Sequence, residues 1–219
     1  MKCHIRLLIA SDTIQKVIIT LINPKGGTGK STSSIHLAGI FSEKYSTVLV
    51  DLDEENRSCL DYLEGGNLSF TGGNADDFDL DLKHRGFEVT VVDAYARPTS
   101  EQLKMMASLS DIILIPTPPD AVSLRVLARF IPEIEATEVP YRVVLTMVPP
   151  KPSTEADKAR KDLRGGDVPV LKTQIPRSIG FARGARQQRL AYELPGYSRL
   201  RRPFVQLRRE IENVYKKEV

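Results

Sequence analysis

The sequence predicts a doubly wound α/β fold, a mainly parallel β-sheet flanked by helices. Three observations carry the prediction. Six short apolar runs recur along the 219 residues. They are near-continuous rather than alternating, the mark of strands covered on both faces. Stretches of helical period separate them, so that strand and helix alternate along the chain.

Taken in order, the strands are VIITLI (17–22), TVLVDL (47–52), EVTVVD (88–93), DIILIP (111–116), YRVVLT (141–146) and a shorter VPVLKT (168–173). A helix over 30–44 follows the first strand, and PTSEQLKMMASL, AVSLRVLARFIPEI and STEADKARKDLR supply later ones. Residues 61–87 mix glycine with acidic residues, which leaves loop, short helix or a mobile cover open. From Gly180 the chain reads as two helical pieces broken near LPGY, 194–197. Residues 1–16 precede the first strand as a frayed end or an extra edge strand. A single domain over 1–219 is expected, with a basic helical part at 177–219.

Hydrophobic content of 41% and charged content of 27% are those of an ordinary globular protein and exclude wholesale disorder. Cys3 and Cys59 lie far apart without C-x-x-C spacing, which argues against a disulfide framework and against a zinc or iron-sulfur centre. Apolar runs are shorter than a membrane span, and IRLLIA is too short for a secretory core, so a cytoplasmic location is expected.

Residues 23–31 read NPKGGTGKS. The phosphate-loop pattern G-x-x-x-x-G-K-[ST] would end at Gly29-Lys30-Ser31, yet Pro24 stands where it needs glycine, and a second lysine, Lys25, follows. Gly26, Gly27 and Gly29 let the backbone turn tightly and bring N–H groups to phosphate oxygens. The helix that begins at Lys30 turns its positive end toward the same anion. Lys30 then pairs with the β- and γ-phosphates and the Ser31 hydroxyl binds magnesium. The bland alternative, a glycine-rich turn without a ligand, is disfavoured because strand, loop, Lys-Ser and helix come in the order the motif requires.

Ligands of open α/β sheets sit at the carboxyl ends of the strands. There the chain carries DLDEENRS after the second strand and VVDAYARP after the third. Asp51 and Asp93 suit water-mediated contacts to magnesium, and Asp51 or Asp53 can orient an attacking water.

The loop KGGTGKST, the DLD and VVDA segments, and the later DIILIPTPPDAVSLR and IPRSIGFARGA together resemble the ParA family of partition ATPases. These are P-loop NTPases of the deviant Walker type, and the resemblance runs over most of 17–200. It implies ATP and Mg2+ as cofactors, with nucleotide contacts from Lys25, Gly26, Gly27, Thr28, Gly29, Lys30, Ser31 and Thr32. It also implies an ATP-dependent homodimer in which Lys30 acts in cis and Lys25 reaches the partner's phosphates. A flexible stem and a compact charge at the loop mouth suit Lys25 to that task, much as an arginine finger serves other nucleotide hydrolases. Asp53 matches the family's hydrolysis-promoting aspartate and Asp93 its Walker B aspartate. The resemblance places adenine near Thr146, Met147, Pro176 and Arg177, which as plain residues read equally as loop. Where the family usually has D-x-D-P-Q, this chain has DLDEEN. Glu54 and Glu55 add negative charge near the phosphates, which magnesium or Arg57 must offset.

Charge is uneven. From Lys151 onward there are 17 Lys/Arg against 8 Asp/Glu, a net +9, while residues 1–150 are −6. Such an Arg-rich cluster is the footprint of a polyanion binder, with Arg183, Arg186, Arg189, Arg199, Arg201 and Arg202 as the candidate DNA contacts; a solvated or subunit-contacting face is the alternative. The resemblance implies non-specific DNA, a ParB-like adaptor that stimulates hydrolysis, and nucleoid association in the ATP state. In the last helix Phe204, Leu207, Ile211, Val214 and Tyr215 form one stripe, read as core packing rather than as a membrane-targeting face. A MinD-like positioning ATPase that cycles on membrane, and a small-molecule enzyme such as a dethiobiotin synthetase, are the rival functions.

Overall fold

The computed structural model describes residues 16–53, 59–64, 66, 68–74 and 86–217. The segments 1–15, with Cys3, and 54–58, with Glu54, Glu55 and Arg57, lie outside the described residues. Among these residues seven parallel strands are present: β1 (Val17–Leu21), β2 (Thr47–Asp51), β3 (Thr71–Gly73), β4 (Val89–Asp93), β5 (Ile112–Thr117), β6 (Tyr141–Val148) and β7 (Val170–Pro176). Their order across the sheet is β3-β2-β4-β1-β5-β6-β7. The chain leaves β1 for one side and β4 for the other, so the carboxyl end of β1 opens at the point where the winding reverses.

The apolar runs fold as strands because both faces are covered. Val17, Ile19 and Leu21 enter one core, and Ile18 and Ile22 the other. The same division holds along β5, where Ile112 and Leu114 oppose Ile113 and Ile115. The first core is closed by α1 (Lys30–Ser42), α6 (Ile179–Gln187) and α7 (Arg201–Lys217), and the second by α3 (Ser100–Leu109) and α4 (Ala121–Glu135). A smaller core joins α5 (Glu155–Gly165) to β6.

Helix α1 is buried through most of its length, so its neighbours must approach closely. Gly39 makes this possible: a Cβ there would lie 2.5 Å from Leu190 Cδ1 and 2.7 Å from the Tyr192 hydroxyl. The stripe predicted on the last helix packs as expected. Phe204, Leu207 and Ile211 are fully buried against α1 and β7, worth about 2 kcal/mol each. Val214 and Tyr215 pack at their edge. Among the described residues, no helix is long and apolar enough to cross a membrane.

One expectation needs correction, and one strand was not expected. The sixth strand was expected over 168–173 but runs over Val170–Pro176. Its alternating burial belongs to an edge strand, and the polar Lys172 and Gln174 obscure its extent. Residues 61–87, expected to be loop, short helix or cover, hold most of a four-residue helix, α2 (Leu60–Leu63), and the edge strand β3. The sequence of β3 is TGG, in which only Thr71 has the β-branched bulk that marks a strand.

Candidate nucleotide site

After β1, Asn23 ties the turn to the neighbouring strand. Its amide donates to the Pro116 carbonyl at 2.9 Å, and its carbonyl oxygen accepts the Lys25 N–H at 2.9 Å. Gly27 and Gly29 adopt left-handed backbones with φ of 70° and 82°, open to L-residues only with strain. Gly29 is also the N-cap of α1, and no side chain caps that end. The first-turn N–H groups therefore face a cavity of about 370 Å³ lined by all eight residues from Lys25 to Thr32, with Asp53 and Ala96 opposite.

Below the loop, Lys30 is turned inward. Its ammonium donates to Asp93 Oδ1 at 3.2 Å and to the Ala94 carbonyl at 2.5 Å, both buried. The Ser34 hydroxyl donates to the same Asp93 oxygen at 2.9 Å. Asp93 and Asp51 are register partners at the ends of adjacent parallel strands, so their side chains leave the sheet on the same face. Asp51 accepts N–H groups from Asp53 at 3.1 Å, Cys59 at 2.8 Å and Leu60 at 3.4 Å, which anchors the start of α2. Burial, and then the neighbouring Asp93 charge, raise the Asp51 carboxyl above its ordinary value despite these donors. The Cys59 thiol donates to Asp93 Oδ2 at 3.3 Å. Burial and the two carboxylates push that thiol well above its ordinary range, so it stays protonated.

Two adjoining carboxylates are donors of the kind that a hard cation takes. Ligand atoms of Asp51, Cys59 and Asp93 lie within 4.8 Å of one another, and Ser31 lines the adjoining cavity. Magnesium takes oxygen donors, so the protonated sulfur belongs to the wall of the site rather than to the ligand set.

A second cavity of about 370 Å³ opens on the other side of Gly27 and Gly29. Thr146, Met147, Pro176 and Arg177 all line it, which brings together the four residues expected near adenine. The Thr146 hydroxyl also fixes the loop by donating to the Thr28 carbonyl at 2.6 Å. Its far wall is α6, through Phe181, Ala182 and Ala185. The sequence reading missed these, because only the paired spacing of an otherwise short helix pointed to them.

Lys25 is folded back within its own chain. Its ammonium donates to the Ser123 hydroxyl at 2.7 Å and lies 3.9 Å from Asp120 Oδ1. Asp120 caps α4, accepting from the Val122 and Ser123 N–H groups and from the Ser123 hydroxyl. Burial works to raise its carboxyl, but the Ser123 donors and Lys25 outweigh it and hold the group below the usual carboxylate value.

The arginines singled out, Arg183, Arg186, Arg189, Arg199, Arg201 and Arg202, are all exposed. Arg183 stacks 5.6 Å from the Tyr197 ring, and Arg189 lies 4.0 Å from Glu193. Arg201 is engaged differently. Its guanidinium meets both carboxylate oxygens of Glu43, at 3.1 and 2.6 Å, and fastens α7 to the end of α1.

A model of the CobQ/CobB/MinD/ParA nucleotide-binding domain matches residues 19–190. The chain is 28% identical over 164 residues to the maintenance of carboxysome distribution protein A of Gloeobacter kilaueensis, covering 72% of this chain and 76% of that one. Its fold is similar to apo McdA of Cyanothece, with a TM-score of 0.75 and 14% identity over 90% of this chain and all of the other. It is also similar to a plasmid partition protein of Borrelia burgdorferi bound to AMPPNP, with a TM-score of 0.68 and 17% identity over 90% and 99% of the two chains. Because that family model covers most of the chain, the chain belongs to the CobQ/CobB/MinD/ParA nucleotide-binding domain family and is an ATPase of its ParA and MinD group.

Proposed function

We propose that this chain, a single domain, uses ATP and Mg2+ to switch between a free monomer and a sandwich dimer that binds DNA without sequence preference. Hydrolysis, stimulated by a ParB-like adaptor, releases it, and the cycle distributes a cargo over the nucleoid. The observation that carries this reading is the two-sidedness of α6. One face lines the cavity beside the phosphate loop with Phe181, Ala182 and Ala185, and the other presents Arg183 and Arg186 to solvent. A polyanion site is thus built on the wall of the nucleotide site. Phosphate contacts by such arginines supply affinity without reading bases.

In this mechanism adenine occupies the cavity of Thr146, Met147, Pro176 and Arg177. The N–H groups of 26–32 and the Lys30 ammonium hold the phosphates, Lys30 exchanging its Asp93 partner for them. Ser31 would hold the metal directly and Asp51 and Asp93 would hold it through water. Bound there, Mg2+ neutralises charge on the transferring phosphoryl group. Asp53, on the rim of the phosphate cavity, orients the attacking water, and Lys25 crosses to the partner's phosphates. Exposed Arg183, Arg186, Arg189, Arg199 and Arg202 form the DNA face, with Arg201 bracing it. The apolar stripe of α7 is spent on the core, so it offers no membrane-binding face.

Co-sedimentation with DNA and with anionic liposomes, each in ATP and ADP, tests the proposal. Salt-sensitive retention on DNA in ATP alone is the expected result. Retention on liposomes and none on DNA would overturn it.

A further inference from the structure

The turn that follows α6 is gripped by two helices that start at the nucleotide site. Gln188 ends α6 in a left-handed conformation, and its side-chain amide donates to the Asp61 carbonyl at 2.8 Å. The Tyr62 hydroxyl donates to the Arg189 carbonyl. The Ala191 N–H donates to His36 Nε2 at 2.9 Å, while His36 Nδ1 donates to the Thr32 carbonyl at 2.8 Å. Two of these grips come from α2 and one from α1.

These contacts leave no slack. A Cβ on Gly184 would lie 2.7 Å from the Arg189 carbonyl oxygen and 3.0 Å from the Tyr62 hydroxyl, and one on Gly66 would lie 2.5 Å from the Gln188 carbonyl oxygen. Packing this close transmits a shift instead of absorbing it. The other end of α2 hangs from the two strand-end carboxylates: Asp51 accepts the Cys59 and Leu60 N–H groups, and Asp93 accepts the Cys59 thiol. Lys30 can serve Asp93 or the phosphates, and a γ-phosphate beside the β-phosphate draws its ammonium further from Asp93 than a β-phosphate alone. A four-residue helix thus connects the carboxylates that the nucleotide perturbs to a turn flanked by Arg186 and Arg189.

We infer that α2 is a lever, with Tyr62 as its positioning residue, that sets the placement of the arginine-bearing turn 186–191 according to which phosphates occupy the site. The lever rests on the phosphate placement of the proposed function, and the polyanion that the turn meets rests on its DNA reading. With adenine in the cavity proposed for it, the base would touch α6 in ATP and ADP alike, so the lever accounts for the part of the response that differs between them.

Hydrogen exchange over 186–191 in Mg-AMPPNP and in Mg-ADP tests the inference without any DNA. In the wild type the turn exchanges about five-fold more slowly in Mg-AMPPNP, the factor that one hydrogen bond is worth. In Tyr62→Phe the difference between the nucleotides disappears at 186–191, while protection over 30–36 remains. Repeating both in the Lys25→Ala background separates out protection that comes from contact between two chains. Gln188→Asn, which shortens the second grip and tolerates the left-handed backbone, gives the same loss by halves if Tyr62→Phe folds poorly. No nucleotide-dependent difference in the wild type, or a full difference in both variants, overturns the lever. DNA retention is then measured in parallel. If Tyr62→Phe keeps DNA binding but its ATP-to-ADP ratio falls toward one, lever and DNA reading both stand; if no form binds DNA while the exchange result holds, only the DNA reading falls.

Discussion

The Lys25 ammonium sits 2.7 Å from the Ser123 hydroxyl, at the capped start of α4, and so the lysine proposed to act on a partner's phosphates is held in its own chain. Leaving that place breaks a charge-assisted hydrogen bond and a contact with a half-exposed carboxylate, Asp120, whose pull is screened by solvent. Ser123→Ala removes the hydroxyl without removing the Asp120 cap. The variant is expected to dimerise in ATP at about three- to ten-fold lower protein concentration than the wild type, read by light scattering. Lys25→Ala is expected to bind ATP as a monomer and not to dimerise.

Lys30 and Asp93 form a buried pair, 9% and 0% exposed, inside the same site. Removing one member of such a pair leaves an uncompensated charge, which costs about 3 kcal/mol or more. Lys30→Met is therefore expected to lose both ATP binding and about that much stability in urea unfolding. Adding Asp93→Asn should recover most of the stability and none of the binding, which separates the lysine's role in the resting fold from its role toward phosphate.

How far the sequence foretold this site depends on how local each part is. The loop was legible because its glycines, Lys25, Lys30 and Ser31 are contiguous and their chemistry depends on the turn that they make themselves. Asp51 and Asp93 were each legible as strand ends, but their adjacency was not, since it requires β4 to insert between β2 and β1. Cys59 was set aside as an isolated thiol, and only the turn into α2 brings it between the two carboxylates. Ser123 was hidden for a similar reason, since nothing near it in sequence names Lys25. The strand β3 escaped notice because two of its three residues are glycines.

His36 is enclosed by Phe181, Phe204, Tyr62 and Tyr192, and its two nitrogens are committed to Thr32 and Ala191. Accepting the Ala191 N–H at Nε2 requires the neutral ring with its proton on Nδ1. Burial lowers its pKa from 6.5 to about 4, against the raising effect of the Thr32 carbonyl. The unfolded chain therefore binds the extra proton first. His36 contributes stability that is fully present above pH 6.5 and is lost as pH falls toward 4, to a total of about 3 kcal/mol. Asp51 runs the other way, since its raised carboxyl favours the folded state below its ordinary pKa. Urea midpoints measured from pH 7.5 to 4.5 are expected to fall for the wild type, and to fall less steeply for His36→Gln, which keeps an acceptor but has no titrating ring.

The edge strand β7 is guarded by side chains from two helices. Glu210 on α7 accepts the Lys172 and Thr173 N–H groups at 2.7 Å each and the Thr173 hydroxyl at 2.5 Å. On α5, Arg160 donates to the Lys172 carbonyl at 2.9 Å. Donors and acceptors that would otherwise recruit another strand are thus occupied at Lys172, the exposed residue of the edge, and at Thr173 beside it. Glu210→Ala is expected to cost about 2 kcal/mol, since two backbone donors and a hydroxyl lose a charged acceptor, two of the three bonds being partly buried. Its more telling effect should be association. Turbidity and thioflavin binding at 37 °C should rise in Glu210→Ala, while Glu210→Gln, which keeps one carbonyl acceptor, should stay close to the wild type. Equal aggregation of the two variants would mean that the charge on Glu210, rather than its hydrogen bonds to β7, protects the edge.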